Sequence, residues 1–105
     1  GGAAQPSEDV AKLENMPEPR ESNGKMQYAR VWYPVGTPPA ELTEDAAREQ
    51  WTKDTARKMT NRLSGITRRI TKKDASKSYT VRTVENNGQA GVAVYRMAKA
   101  TAPAA

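Results

Sequence analysis

The sequence predicts an α+β domain in which a three-stranded antiparallel sheet packs on an amphipathic helix, with a disordered tail at each end. Residues 28–35, YARVWYPV, alternate in polarity and are rich in aromatic and β-branched side chains, as strands are. Between residues 43 and 73, apolar side chains recur at helical spacing. In residues 78–97, alternating side chains flank Asn87-Gly88, a dipeptide typical of two-residue hairpin turns. The predicted order is therefore strand, one or two helices, hairpin.

The predicted domain covers residues 25–97. Residues 1–24 carry five acids, two bases and few apolar side chains, so we expect a disordered acidic tail. Residues 98–105, AKATAPAA, are expected to form a second disordered tail. No apolar run approaches the ~20 residues of a membrane span. No secretory signal is evident either, so the expected location is intracellular, in the cytoplasm.

The strand alternation predicts both the edge of the sheet and the hairpin register. Pro34 cannot donate a ladder hydrogen bond, which favours an edge position for the first strand. A turn at Asn87-Gly88 aligns the two hairpin strands residue by residue. On one face, the expected cross-strand pairs are Thr83 with Val92, Val81 with Val94 and Tyr79 with Arg96. On the other face, they are Thr80 with Tyr95 and Arg82 with Ala93.

The helical segment carries one apolar stripe, which runs through Ala56, Met59, Leu63, Ile66 and Ile70. These positions fall on a narrow arc of a helical projection, and we expect them to cover the sheet. The same spacing also fits the seam of a coiled-coil homodimer, which is the alternative interpretation. Whether residues 43–73 form one helix or two is left open, because a single helix would be long for this chain and a break could occur at Gly65 or in the β-branched, polar run around Thr52–Thr55.

The net charge of +5 is concentrated in one part of the chain. Residues 57–82 hold nine bases and one acid, and residues 57–73 hold seven bases and no acid. Solvated helix faces usually interleave acids with bases for i,i+4 support, so this excess predicts an anionic partner. Nucleic acid is the leading candidate. The acidic tail is a second one, and we expect it to fold back over the basic helix and compete with the ligand.

The candidate nucleic-acid contacts lie on the helix, the hairpin and the first strand. Basic side chains would bind phosphates, and Gly65 would let a phosphate approach the backbone between Arg62 and Arg69, unless it marks a kink or helix end. Trp32 and Tyr95 would stack unpaired bases, unless they belong to the core. Neutralising about five to seven phosphates predicts a log–log salt slope of about −4 to −6. The candidate residues are Lys58, Arg62, Gly65, Arg68, Arg69, Lys72, Lys73, Lys77, Arg82, Arg96, Trp32 and Tyr95.

The composition argues against an enzyme. The chain has no cysteine and no histidine, which removes thiolate chemistry, the commonest general base and the commonest zinc ligand. The serines therefore have no imidazole to activate them. Acidic residues at the start of the helical segment suit the positive end of the helix dipole better than a magnesium site. We expect no catalytic residue, no metal and no cofactor.

The basic helix is followed by KSYTVR (Lys77–Arg82) and by GVAVYR (Gly91–Arg96). Over residues 58–97 this pattern resembles small proteins encoded by bacteriophages and prophages, in which a basic helix precedes two such strands. The chain departs from that pattern at Ala93, where arginine is usual, and at Tyr79 and Tyr95, which replace Phe and Trp. The resemblance implies a viral or mobile-element setting, in which small proteins bind nucleic acid or a host enzyme.

The rival hypothesis is therefore a protein-binding module that inhibits or redirects a host enzyme. Its basic segment would dock on an acidic surface of the partner. The exposed parts of the apolar stripe, together with Trp51, would then form the interface.

Overall fold

The computed structural model describes residues 5–98, with side chains from residue 8 onward. This part of the chain contains helices α1 (Gln5–Glu14) and α2 (Asp45–Lys73) and strands β1 (Arg20–Ser22), β2 (Lys25–Gln27), β3 (Arg30–Pro34), β4 (Ser78–Asn86) and β5 (Gln89–Met97). Strands β3, β5 and β4, in that order, form an antiparallel sheet, and β1 and β2 form a separate hairpin. The α+β class is confirmed. The two-stranded hairpin is an addition that the sequence analysis did not predict.

The three-stranded sheet has the predicted edge and the predicted register. Strand β3 lies at an edge, where the missing N–H of Pro34 is tolerated. All five expected pairs between β4 and β5 are observed. The turn residues Asn87 and Gly88 have φ angles of 54° and 79°, as a type I′ turn requires.

Helix α2 covers one face of this sheet, here called the inner face. It is a single helix of 29 residues, so it neither ends nor divides at Gly65. Leu63, Val92 and Val94 are fully buried where helix and sheet meet, and complete burial of such side chains contributes about 2 kcal/mol each. Ala56, Ile66 and Ile70 are buried in the same core, and Met59 packs against it. The stripe is therefore the cover of the sheet, as expected, and its buried members are not available for a coiled-coil seam.

Side chains hold the two ends of α2. Arg48, in the first turn of the helix, donates hydrogen bonds to two carbonyl oxygens of the preceding segment, those of Leu42 (2.8 Å) and Pro39 (3.3 Å). After the helix, the carboxylate of Asp74 accepts hydrogen bonds from the hydroxyl and the backbone N–H of Ser76. These hydrogen bonds lower the pKa of Asp74. The turn is therefore stabilised above the ordinary aspartate pKa, and this contribution is lost as the pH falls through the lowered value.

The prediction of a disordered tail over residues 1–24 is wrong for residues 5–24. Leu13 is completely buried in the core and Met16 is 7% exposed. A ten-residue helix is marginal in isolation, so α1 depends on these tertiary contacts. Its last carbonyls also gain partners from β4 and the preceding turn: the Tyr79 hydroxyl donates to the Leu13 oxygen and the Lys77 ammonium to the Glu14 oxygen, both at 2.9 Å.

The β1–β2 hairpin accounts for the rest of the supposed tail. Its turn is Asn23-Gly24, with φ angles of 54° and 77°, the same backbone solution as in the β4–β5 turn. At the other end, Ala98 follows β5 outside any helix or strand, and the rest of the predicted tail over residues 98–105 lies outside the described residues. Neither α1 nor α2 is long and apolar enough to cross a membrane.

Two half-buried tyrosines on the inner face give a test of the α1 contact. Tyr79→Phe removes the hydrogen bond to α1 and is expected to lower the free energy of unfolding by about 1 kcal/mol. The Tyr33 hydroxyl is also buried, but it has no hydrogen-bond partner among the described residues. Tyr33→Phe is therefore the matched control and should leave stability unchanged or raise it slightly. Urea denaturation measures both, and equal losses would contradict the docking of α1 through Tyr79.

Candidate nucleic-acid interface

The C-terminal half of α2 presents a row of cations to solvent, here called the basic ridge. Its apolar side faces the sheet, so the basic positions of the helix are left on its flank and back. The row extends from residue 58 to residue 73, about 22 Å along the helix axis at 1.5 Å per residue. All six side chains are exposed. The basic ridge consists of Lys58, Arg62, Arg68, Arg69, Lys72 and Lys73.

Only one cation of the basic ridge has a carboxylate partner among the described residues. Arg62 donates to Asp9 of α1 at 2.6 Å, a contact in which Asp9 is largely shielded from solvent. Further toward the start of α2, Arg57 pairs with Asp54 and Lys53 with Glu49. The five other ridge cations take part in none of the ion pairs of the described residues. They are Lys58, Arg68, Arg69, Lys72 and Lys73.

A groove of about 300 Å³ separates α1 from the end of α2. Arg69, Lys72 and Lys73 line it on the α2 side, and Val10 and Glu14 line it on the α1 side. Three cations thus face a single carboxylate. The groove extends the positive surface of the basic ridge toward α1, where Asp9 neutralises Arg62.

Gly65 lies within the continuous helix, on the flank between Arg62 and Arg69. A Cβ atom built at this position has no neighbouring atom within 4 Å, so the space beside it is open. The glycine is therefore not required by packing against another element. Open space next to flanking cations is compatible with the predicted approach of a phosphate to the backbone.

Arg82, Trp32 and Tyr95 do not lie on the basic ridge. Alternation along the strands places them on the face of the sheet opposite the inner face, here called the outer face. Arg82 is exposed, whereas Trp32 and Tyr95 are half-buried. Arg82 therefore cannot bind the same phosphates as the basic ridge, because the sheet lies between the two surfaces.

The expectation that Arg96 contacts nucleic acid is wrong. Its side chain lies on the inner face and is only 3% exposed. The guanidinium donates to the Met97 carbonyl (2.9 Å), lies 3.7 Å from a Glu18 oxygen and packs 5.7 Å from the centre of the Tyr79 ring. Burial raises the pKa of Tyr79, and the positive charge of Arg96 partly offsets that rise. Arg96 therefore has a structural role, which links β5 to the segment after α1.

Lys77 is likewise committed to the fold. Its ammonium group is half-buried and donates to the last carbonyl of α1, where a cation also complements the helix dipole. The prediction that Lys77 binds phosphate is therefore not supported by its position.

Sequence reasoning also missed Met97, which lines the outer face beside Tyr95. Extending the hairpin register by two residues beyond Tyr95 places Met97 on that face.

No family model, curated protein or solved structure matches this chain. Within residues 8–98, no cluster of three or more acidic side chains is arranged to hold a metal ion. What the surface does provide is a line of exposed cations, whose chemistry is the binding of phosphate or carboxylate groups.

Gly65→Ala tests whether this glycine is needed for packing. Because a methyl group meets no atom there, the better helix propensity of alanine should raise the free energy of unfolding by about 0.5–1 kcal/mol. Thermal denaturation measures the change. A lower melting temperature would contradict the open environment of this position.

Proposed function

We propose that this chain is a small, non-enzymatic nucleic-acid-binding protein that contacts phosphates through the basic ridge. One observation carries the proposal: five exposed cations lie between residues 58 and 73 of one helix, and none of them forms an ion pair with a carboxylate of the described residues. Like charges at helical spacing repel one another and destabilise an isolated helix. A polyanion running along the ridge removes that repulsion and releases its own counterions.

The side chains of the basic ridge favour binding with little sequence selectivity. Lysine and arginine contacts to phosphates position a protein on nucleic acid but do not read bases. Asparagine and glutamine are the side chains that read adenine. The basic ridge itself contains neither, and Asn61, between Lys58 and Arg62 in the sequence, is the one exposed amide beside it. DNA and RNA, single-stranded or duplex, are all suitable ligands for such a surface.

The rival hypothesis, a module that binds an acidic host protein, loses much of its proposed interface. Leu63, Ile66 and Ile70 are buried against the sheet, so these members of the apolar stripe cannot also bind a partner, and only Met59 and Trp51 keep part of their exposure. An acidic protein that binds the basic ridge by charge alone remains the alternative. A bacteriophage or mobile-element origin and a location in the host cytoplasm stay predictions.

Removing two free ridge cations tests the proposal. We expect a salt slope of about −3.5 to −4.5 for the unaltered chain, from five phosphate contacts. The variant Arg68→Gln/Arg69→Gln should bind more weakly, with a slope shallower by about 2. The control Lys53→Gln/Arg57→Gln removes the same charge from cations that are already ion-paired, and it should bind almost normally.

Fluorescence anisotropy with labelled duplex and single-stranded oligonucleotides, between about 50 and 200 mM salt, gives these slopes. An affinity that hardly depends on salt, or equal losses in both variants, would exclude the ridge as the phosphate-binding surface.

Asp9→Asn tests the competition between α1 and the ligand. The substitution frees Arg62, so binding should tighten and the slope on duplex should steepen by about 0.9. Glu8→Gln is the matched control, because Glu8 is exposed on the same helix and forms no ion pair with another described residue. Deleting residues 1–24 is unsuitable, since Leu13 and Met16 belong to the core. An equal gain in affinity from both variants would show a general charge effect and not release of Arg62.

A further inference from the structure

No helix of the described part of the chain packs on the outer face of the three-stranded sheet, although Ala93 at the centre of this face is fully buried. Helix α2 packs on β4 and β5 from the inner side, and the buried residues of α1 belong to the same inner core. Arg30 and Arg82 on the outer face are exposed, and Tyr28, just before β3, is 44% exposed. The face is nevertheless not polar, because aromatic and apolar side chains lie between the two arginines.

The register of the strands places these groups in adjacent rows. One row across the sheet runs Trp32–Ala93–Arg82, and the next runs Arg30–Tyr95–Thr80. Each row thus joins an aromatic ring to a guanidinium, and the order is reversed from one row to the next. Each of the two rings therefore lies on a strand next to one that carries an arginine, or on the same strand as one.

The ring of Trp32 is held against the sheet. Its indole Nε1 donates to the Val84 carbonyl of β4 at 3.4 Å, so the side chain extends from one edge strand across β5 toward the other. Gly91 lies beneath it, and a Cβ atom at that position would overlap the indole. A side chain on β5 at this point would displace the ring, which explains a glycine inside a strand.

Beside Arg82 and Tyr95 the outer face forms an open depression of about 340 Å³. Its lining combines the rings of Tyr28 and Tyr95, the guanidinium of Arg82, the hydroxyl of Thr80 and the side chain of Met97. Its volume lies at the lower end of the ~300–1,000 Å³ range of ligand pockets. The combination offers a planar, apolar group two rings to stack on and a phosphate one cation to pair with.

The charge of the face selects among possible occupants. The strand positions that point outward on β3, β4 and β5 include two arginines and no aspartate or glutamate. Neither arginine takes part in an ion pair with another described residue. A second copy of the same face would bring these arginines against one another, which is unfavourable. An anionic chain that carries planar groups is complementary to both the charges and the rings.

We propose that the outer face is a second binding surface, which stacks the unpaired bases of single-stranded nucleic acid. The proposal rests on the proposed function only in taking nucleic acid as the ligand, because the sheet separates this surface from the basic ridge. Bases in a duplex are already stacked and cannot reach the rings, whereas each base of a single strand has an accessible π face. The arginines contribute phosphate contacts and cation–π contacts beside the stacked bases.

The test uses the full chain with Trp51→Phe, which leaves Trp32 as its only tryptophan. Titration with a short oligodeoxythymidylate should quench Trp32 emission, and the duplex of the same length should not. Tyr28→Ala in this background should weaken binding of the single strand by at least about fivefold, the lower bound for loss of one stacked base. Met26→Ala is the matched control, because Met26 is 45% exposed but does not line the depression, and it should leave binding unchanged.

The remaining outcomes separate this proposal from the proposed function. The Arg68→Gln/Arg69→Gln substitutions should leave quenching of Trp32 by the single strand in place while they weaken duplex binding. Anisotropy that reports binding of the single strand with no change in Trp32 emission and no loss of affinity in Tyr28→Ala would overturn the outer-face proposal and leave the ridge proposal standing. The absence of binding by either measurement would overturn both. Sedimentation that shows self-association, abolished by Tyr28→Ala, would assign the outer face to a second copy of the chain.

Discussion

The contact between the apolar side of α2 and the inner face of the sheet determines where every other group of the molecule lies. Leu63, Val92 and Val94 lose all their exposure in it, and such burial is the dominant favourable term in folding. Once α2 has turned its apolar side to the sheet, its cations can only lie along its flank and back. The same contact leaves the opposite side of the sheet open to solvent. One core therefore creates two separate surfaces, one built from a helix and one from strands.

Helix α1, in the acidic segment at the start of the chain, contributes both to the core and to the charge of the basic ridge. Helix α1 completes the core through Leu13 and Met16, and it also brings Asp9 to Arg62. Because the Arg62 side chain is half exposed, this ion pair adds at most about 1 kcal/mol to stability, so its larger consequence is to neutralise one cation of the basic ridge. The other ridge cations stay free of carboxylates from residues 8–98. Self-neutralisation by α1 is therefore partial, and the helix keeps its excess of positive charge.

Local signals allowed much of the fold to be predicted. Three of these signals each act within a few residues, and the structure agrees with all of them. They are the alternation in residues 28–35, the Asn87-Gly88 turn and the helical spacing of the apolar stripe. The β1–β2 hairpin could have been predicted from the same turn signal, since Asn23-Gly24 repeats the Asn-Gly dipeptide. The sequence of helix α1 predicts a helix only weakly, because α1 is stabilised by its contacts with β4 and the core. The predicted hairpin register was correct and already placed Arg96 on the same face as Val94. Because that face packs on the core, the register implied that Arg96 would be buried, and this implication was missed.

Arginine side-chain NMR spectra recorded during titration with nucleic acid test the central claim most directly. If the helix–sheet contact separates an exposed basic ridge from a buried interior, the Nε–Hε signals of Arg68 and Arg69 should shift as ligand is added. The signal of Arg96 should stay unchanged over the same titration. A shift of Arg96 with the ridge signals unaffected would contradict the account, because it would place the ligand on the side of the sheet that α2 is held to cover.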